Sequence, residues 1–86
     1  MTAPADAWGP FRPELDDAER LACLRSLRAL ARVLAGPRAD YLCRALAEAE
    51  TDPAALEPAR AALRALEPVD RRKILATYAA LLRPAA

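Results

Sequence analysis

The chain has 86 residues, room for one small domain, and 55% of them are hydrophobic, chiefly Ala and Leu. Thirteen basic residues against twelve acidic ones leave a formal net charge of +1, too little for a global field that would recruit a polyanion. His, Asn and Gln are all absent, so neither a Ser-His-Asp nor a Cys-His device can be assembled, and the commonest general base and metal ligand are missing. No catalytic, cofactor-binding or metal-ligating residue is nominated, and the chain reads as non-enzymatic.

Residues 1–13 hold Pro4, Pro10, Pro13 and Gly9, a composition that predicts an extended arm ahead of a helical body over 14–86. Trp8 and Phe11 are its two large apolar groups. They either fold back as a staple at the start of the first helix or project as anchors for a partner. The longest unbroken helical pattern follows, over 14–35. Leu24, Leu27, Leu30, Ala31, Leu34 and Cys23 gather on one side of it, with Arg25, Arg28 and Arg32 in a narrow stripe on the other. Asp16 and Asp17 are candidate caps, and Glu19 suits the positive end of the helix dipole.

Gly36-Pro37 stops that helix, and a second is expected over 37–50 with Pro in its first turn and a thin apolar face of Leu42, Leu46 and alanines. Tyr41 lies beside that face with its hydroxyl outward. Thr51-Asp52-Pro53 reads as a turn and cap. Because Pro58 follows Pro53 by five residues, the third helix is placed after a short turn, over 57–66, with Leu56, Leu63 and Leu66 toward the core. Glu67-Pro68-Val69 reads as a stop and Asp70 as the cap of a fourth helix over 70–83. Its buried face would be Ile74, Leu75, Tyr78, Leu81 and Leu82. The expected fold is therefore all-α, a small single-domain bundle of four helices. Leu27-Arg28-Ala29-Leu30 and Leu63-Arg64-Ala65-Leu66 form an internal echo, too short for a solenoid.

A hairpin about Gly36-Pro37 sets residue 43 opposite roughly residue 30, about 10 Å along the axis from Cys23, so a Cys23–Cys43 disulfide is not expected. Two reduced thiols suit the cytoplasm. No apolar run approaches the ~20 residues of a membrane span, and the N-terminus lacks the pattern of a signal peptide.

Twelve of the thirteen bases are Arg, which suits recognition of phosphate or carboxylate but also the codon usage of a GC-rich bacterial genome. Arg71, Arg72 and Lys73, directly after Asp70, oppose the dipole of the helix they open, which calls for nearby acids or an anionic partner. Helices three and four also outline a helix-turn-helix, whose second helix begins with these bases. Against nucleic acid stand the missing Asn and Gln, the near-neutral balance and the few aromatics. The α-helical Arg stripe can pair with Glu14, Asp17, Asp40 or acids of the second helix, or meet an acidic partner. Glu48, Glu50, Asp52 and Glu57 form a complementary acidic tract that would allow head-to-tail self-association.

The sequence thus points to a small protein-protein interaction module (adaptor, accessory subunit or regulator). Trp8, Phe11, Arg25, Arg28, Arg32, Arg71, Arg72 and Lys73 are the candidate partner-binding residues. A small nucleic-acid-binding regulator using Arg71, Arg72 and Lys73 is the alternative.

Overall fold

The computed structural model describes residues 9–81. In chain order it has a 3-10 turn at Gly9–Phe11, helix α1 at Asp17–Ala35, a 3-10 turn at Gly36–Ala39 and helix α2 at Asp40–Ala49. A 3-10 turn at Pro53–Ala55, helix α3 at Leu56–Arg64 and helix α4 at Pro68–Leu81 complete it. The fold is all-helical, without a strand among the described residues.

Helix α1 begins at Asp17, three residues later than its apolar pattern suggests, because Asp16 makes a capping box. Its carboxylate accepts from the Glu19 N–H at 2.7 Å, and Glu19 Oε1 accepts from the Asp16 N–H at 3.1 Å. The residues before it are strapped down by Arg20. Its guanidinium donates from Nη1 to the carbonyls of Pro10 and Arg12, both at 2.9 Å, and from Nη2 to that of Leu15 at 3.0 Å.

The expected extended arm is thereby corrected over its second part. Gly9 takes a φ of +53°, the chain turns, and Pro10 and Phe11 are buried against the body. Trp8 and the rest of the arm lie outside the described residues.

Gly36, at φ +57°, ends α1 while its N–H returns to the Arg32 carbonyl. Pro37 then sits in a 3-10 turn, so α2 starts at Asp40 rather than 37. In the next connection the Asp52 side chain accepts from the Ala54 N–H at 3.0 Å. Pro58 is tolerated because it falls in the first turn of α3, where its missing N–H would have had no helical partner.

Helix α4 corrects the reading of Glu67-Pro68-Val69 as a stop. The Glu67 carbonyl accepts the first helical bond, from the Arg71 N–H at 2.9 Å, and Pro68 is the first helical residue, where its fixed φ favours initiation. Asp70 is then no cap but a first-turn residue, buried at 3% exposure.

Two long-range contacts set the helix directions. At one end Asp70 binds Arg38, and at the other a Cβ on Gly9 would lie 3.0 Å from the Tyr78 hydroxyl, beside the start of α1. Helix α4 therefore runs antiparallel to α1, as α2 does. Helix α1 packs on α2, on α4 and on the N-terminal turn, and α3 packs on α2. Leu24, Leu27 and Ala31 of α1, Leu42 and Leu46 of α2, Ala59 and Leu63 of α3, and Ile74 and Tyr78 of α4 form the core with Phe11. The many alanines allow close backbone approach.

Leu81, expected on the buried face of α4, is 68% exposed. The 9–11 turn, with Pro10 and Phe11 buried, packs on α1, and its Gly9 lies against Tyr78. Leu82 lies outside the described residues.

Candidate interaction surfaces

The α1 Arg stripe meets acids of its own chain. Arg28 Nη2 lies 2.9 Å from Glu50 Oε2 and Arg25 Nε 3.5 Å from Glu50 Oε1, so one largely buried carboxylate holds two guanidinium groups. Arg32 Nη1 lies 3.9 Å from Asp40 Oδ1. The Arg25 and Arg32 side chains stay mostly in solvent, and such pairs contribute only a few tenths of a kcal/mol each.

The strongest ion pair involves a residue with no local sequence signal. Arg38, in the turn after α1, grips Asp70 with both arms of its fork, Nε to Oδ2 at 2.7 Å and Nη2 to Oδ1 at 2.9 Å. The donated hydrogen bonds hold the Asp70 carboxyl below its ordinary pKa against the opposing effect of desolvation, with help from the charges of Arg38 and Lys73. The same bonds raise the already high pKa of Arg38. This fork ties the start of α4 to the α1–α2 corner.

Arg71, Arg72 and Lys73 divide into two roles. Arg71 Nη1 donates to the Arg64 carbonyl at 2.7 Å and so satisfies the C-terminal end of α3. Arg72 and Lys73 are exposed and make no hydrogen bond or ion pair among the described residues. Val69, 59% exposed, stands three and four residues before them and so on the same face of α4. Phe11, the nominated aromatic anchor, is 6% exposed and belongs to the core; Trp8 falls outside the described residues.

Both cysteines are free thiols. Cys43 is buried and its Sγ donates to the Arg28 carbonyl at 3.8 Å, which places residue 43 near the expected register of the hairpin. Burial pushes the Cys43 thiol pKa up. Tyr78 is likewise held in its neutral form, first by desolvation and then by a hydrogen bond with Cys23.

The antiparallel helices sort the charges by end. Eight of the twelve acids, Glu14, Asp16, Asp17, Glu19, Glu48, Glu50, Asp52 and Glu57, collect where α1 and α3 begin and α2 ends, beside Arg12 and Arg20, with Arg25 and Arg28 on Glu50 and Arg60 on Glu57. The opposite end carries Arg32, Arg38, Arg64, Arg71, Arg72 and Lys73 against Asp40, Glu67 and Asp70.

An open cleft of about 630 Å³ lies at the acidic end, between the first turns of α1, the last residues of α2 and the start of α3. Leu21, Leu24, Leu56, Ala49 and Pro53 give it apolar walls, and Asp17, Glu50 and Asp52 line it with carboxylates. Among the described residues no helix is long and apolar enough to cross a membrane. Neither the family models nor the curated proteins nor the solved structures compared with this chain show a significant match.

Proposed function

We propose that the chain is a non-catalytic protein-protein interaction module, an adaptor, accessory subunit or regulator built on a four-helix bundle and working in the cytoplasm. Its contact surface is the basic end, with Arg72 and Lys73 flanking Val69 on one face of α4. One observation carries this reading: while Arg25, Arg28, Arg32, Arg38 and Arg71 each have a partner within the chain, Arg72 and Lys73 make no hydrogen bond or ion pair among the described residues and stand beside an exposed Val69. Two cations around an apolar group suit an acidic, partly apolar protein surface. Arg25 and Arg32 are exposed though each is paired within the chain. Two unpaired thiols accord with a reducing compartment.

The rival reading is nucleic-acid binding by the same residues, favoured by their place early in a helix that follows α3 and a short turn. Arg71 weakens it, being committed to the Arg64 carbonyl.

One pair of measurements separates the two. Tagged wild type and Arg72→Glu/Lys73→Glu are compared for proteins retained from the native host, and for binding to a labelled DNA duplex at low and high salt. The module reading expects a defined protein set that the double variant loses, with no duplex binding. Duplex binding that falls steeply with salt and vanishes in the variant would promote the rival, because phosphate contacts release counterions. An unchanged protein set would refute the choice of surface.

A further inference from the structure

We propose that the cleft at the acidic end receives the basic end of α4 from a second copy of this chain, so that molecules associate head to tail. The inference rests on the reading of Arg72, Lys73 and Val69 as a binding surface and names its occupant. The cleft calls for a ligand that is apolar at its centre and cationic at its rim. Its floor is Leu24, already buried, with Leu21 and Leu56 half-buried beside it. Asp17 on its edge makes no hydrogen bond or ion pair among the described residues. Arg20, the cation among the lining residues, points its terminal nitrogens at three backbone carbonyls of the 9–15 segment, and Arg25 and Arg28 are taken by Glu50, so Asp17 and Asp52 are the cleft carboxylates left without a cation among the described residues.

The matching ligand is on the same molecule at the other end. Val69 projects from α4, with Arg72 and Lys73 one turn on along the same face. The two surfaces cannot meet within one molecule. Because α4 runs antiparallel to α1 and Arg72 and Lys73 lie just over a turn into it, they stand about 20 Å along the bundle from Asp17, more than twice the Debye length of about 8 Å at physiological salt. Between molecules nothing prevents it. Because the two surfaces differ, the contact is heterologous, each copy offering one cleft and one basic end, and association continues into short chains or a ring.

The test is sedimentation velocity of the full chain over a range of concentrations at low salt (about 20 mM) and high salt (about 1 M), where the Debye length falls to about 3 Å. Wild type should rise above its 9.3 kDa monomer mass with concentration at low salt and return to it at high salt. Arg72→Glu/Lys73→Glu lacks the basic end, and Asp17→Lys/Ala18→Arg fills and inverts the exposed edge of the cleft. Each should stay monomeric alone. Mixed with Arg72→Ala/Lys73→Ala, which unlike the charge reversal offers nothing to the inverted cleft, the cleft variant supplies the one intact basic end and its partner the one intact cleft, so they should form a one-to-one dimer that grows no further. Adding Val69→Ser to the cleft variant should abolish that dimer, which a merely long-range attraction between oppositely charged variants would survive. Far-UV circular dichroism checks the helices, and Arg72→Ala/Lys73→Ala replaces the charge reversal if α4 is disturbed.

A wild type that stays at the monomer mass at low salt overturns the proposal, as does association that survives in Arg72→Glu/Lys73→Glu. A mixture that fails to pair or grows past the dimer also overturns it. If wild type is monomeric while Arg72→Glu/Lys73→Glu still loses its captured proteins, only the occupant is wrong. If that variant keeps them, the binding surface itself is wrong.

Discussion

Replacing Leu27 by Ala tests whether α1 is the helix on which the others assemble. Leu27 is fully buried, at 0% exposure, midway along α1 and between α2 and α4. The substitution removes three carbons, about 2.4 kcal/mol of transfer free energy at ~0.8 kcal/mol per buried methylene. The cavity left behind raises the cost to about 3 kcal/mol or more, within the range found for buried Leu→Ala changes. Helix propensity works slightly the other way, since Ala is the better helix former. A chain of this length has roughly 4–13 kcal/mol of total stability, so the loss is a large share of it. The expected fall in Tm is about 12–24 °C, at ~4–8 °C per kcal/mol for a domain of this size. The control is Leu21→Ala in the same helix, where the side chain is half-buried at the cleft and the cost should stay below about 1 kcal/mol. Urea unfolding followed by circular dichroism measures both, with an unchanged m-value confirming that the folded state alone is affected. Equal losses at the two positions, or less than about 1 kcal/mol at Leu27, would refute the placement of α1 at the centre.

Three further outcomes follow from named contacts. Asp70 has a lowered pKa in the folded chain, so its fork with Arg38 adds stability that is present above the unfolded carboxyl value, near 3.8, and is lost as pH falls through the lower folded value. Asp70→Asn should therefore unfold at lower urea than wild type at pH 7, and the gap should close below about pH 4; a gap constant with pH would dissociate Asp70 from that fork. Gly9→Ala should lower the Tm, because Gly9 holds a positive φ and the new Cβ would press within 3.0–3.2 Å of Tyr78; a wild-type melting curve would show that the turn is not seated there. Native thiol labelling should modify Cys23 well before the buried Cys43, with two thiols reacting once urea is added; equal native rates would place Cys43 outside the core.

The sequence shows the helices but not where they start. Periodicity alone identifies Leu24, Leu27 and Ala31 as core, because a 3.6-residue period is a local property of the chain. The starts depend on which of several capping residues wins. Asp16 and Glu19, three apart, carry the capping-box signal, which outweighs the helical pattern reaching back to Glu14. At α4 a proline read as a stop is the better initiator, and Asp70, read as a cap, faces inward. The Arg38–Asp70 fork joins residues 32 apart, and no local pattern announces such a contact. Arg20 illustrates the same limit: one charged residue on the flank of α1 organises the whole 9–15 segment through backbone carbonyls, and carbonyls are the same in every sequence.

A net charge of +1 conceals how the charges are arranged, and distance decides what that arrangement does. Eight of the twelve acids lie in two stretches, 14–19 and 48–57, which the α1–α2 hairpin brings to the same end; the cations of 64–73 are carried to the other. Two opposite unit charges about 20 Å apart attract by only ~0.2 kcal/mol in water before any screening, so the ends of one molecule scarcely stabilise each other. Brought to 4 Å across a contact, the same pair gains ~1 kcal/mol in water and more where solvent is excluded. On the proposed head-to-tail contact, folding this near-neutral chain would create an attraction realised only between molecules. Fusing a flexible polar linker and a second copy of the chain to the first tests that consequence. If the ends attract, the tandem should show salt-sensitive closure of one unit on the other, read as a smaller hydrodynamic radius at low salt than at high. A radius independent of salt would mean that the separated charges serve only to keep the chain hydrated.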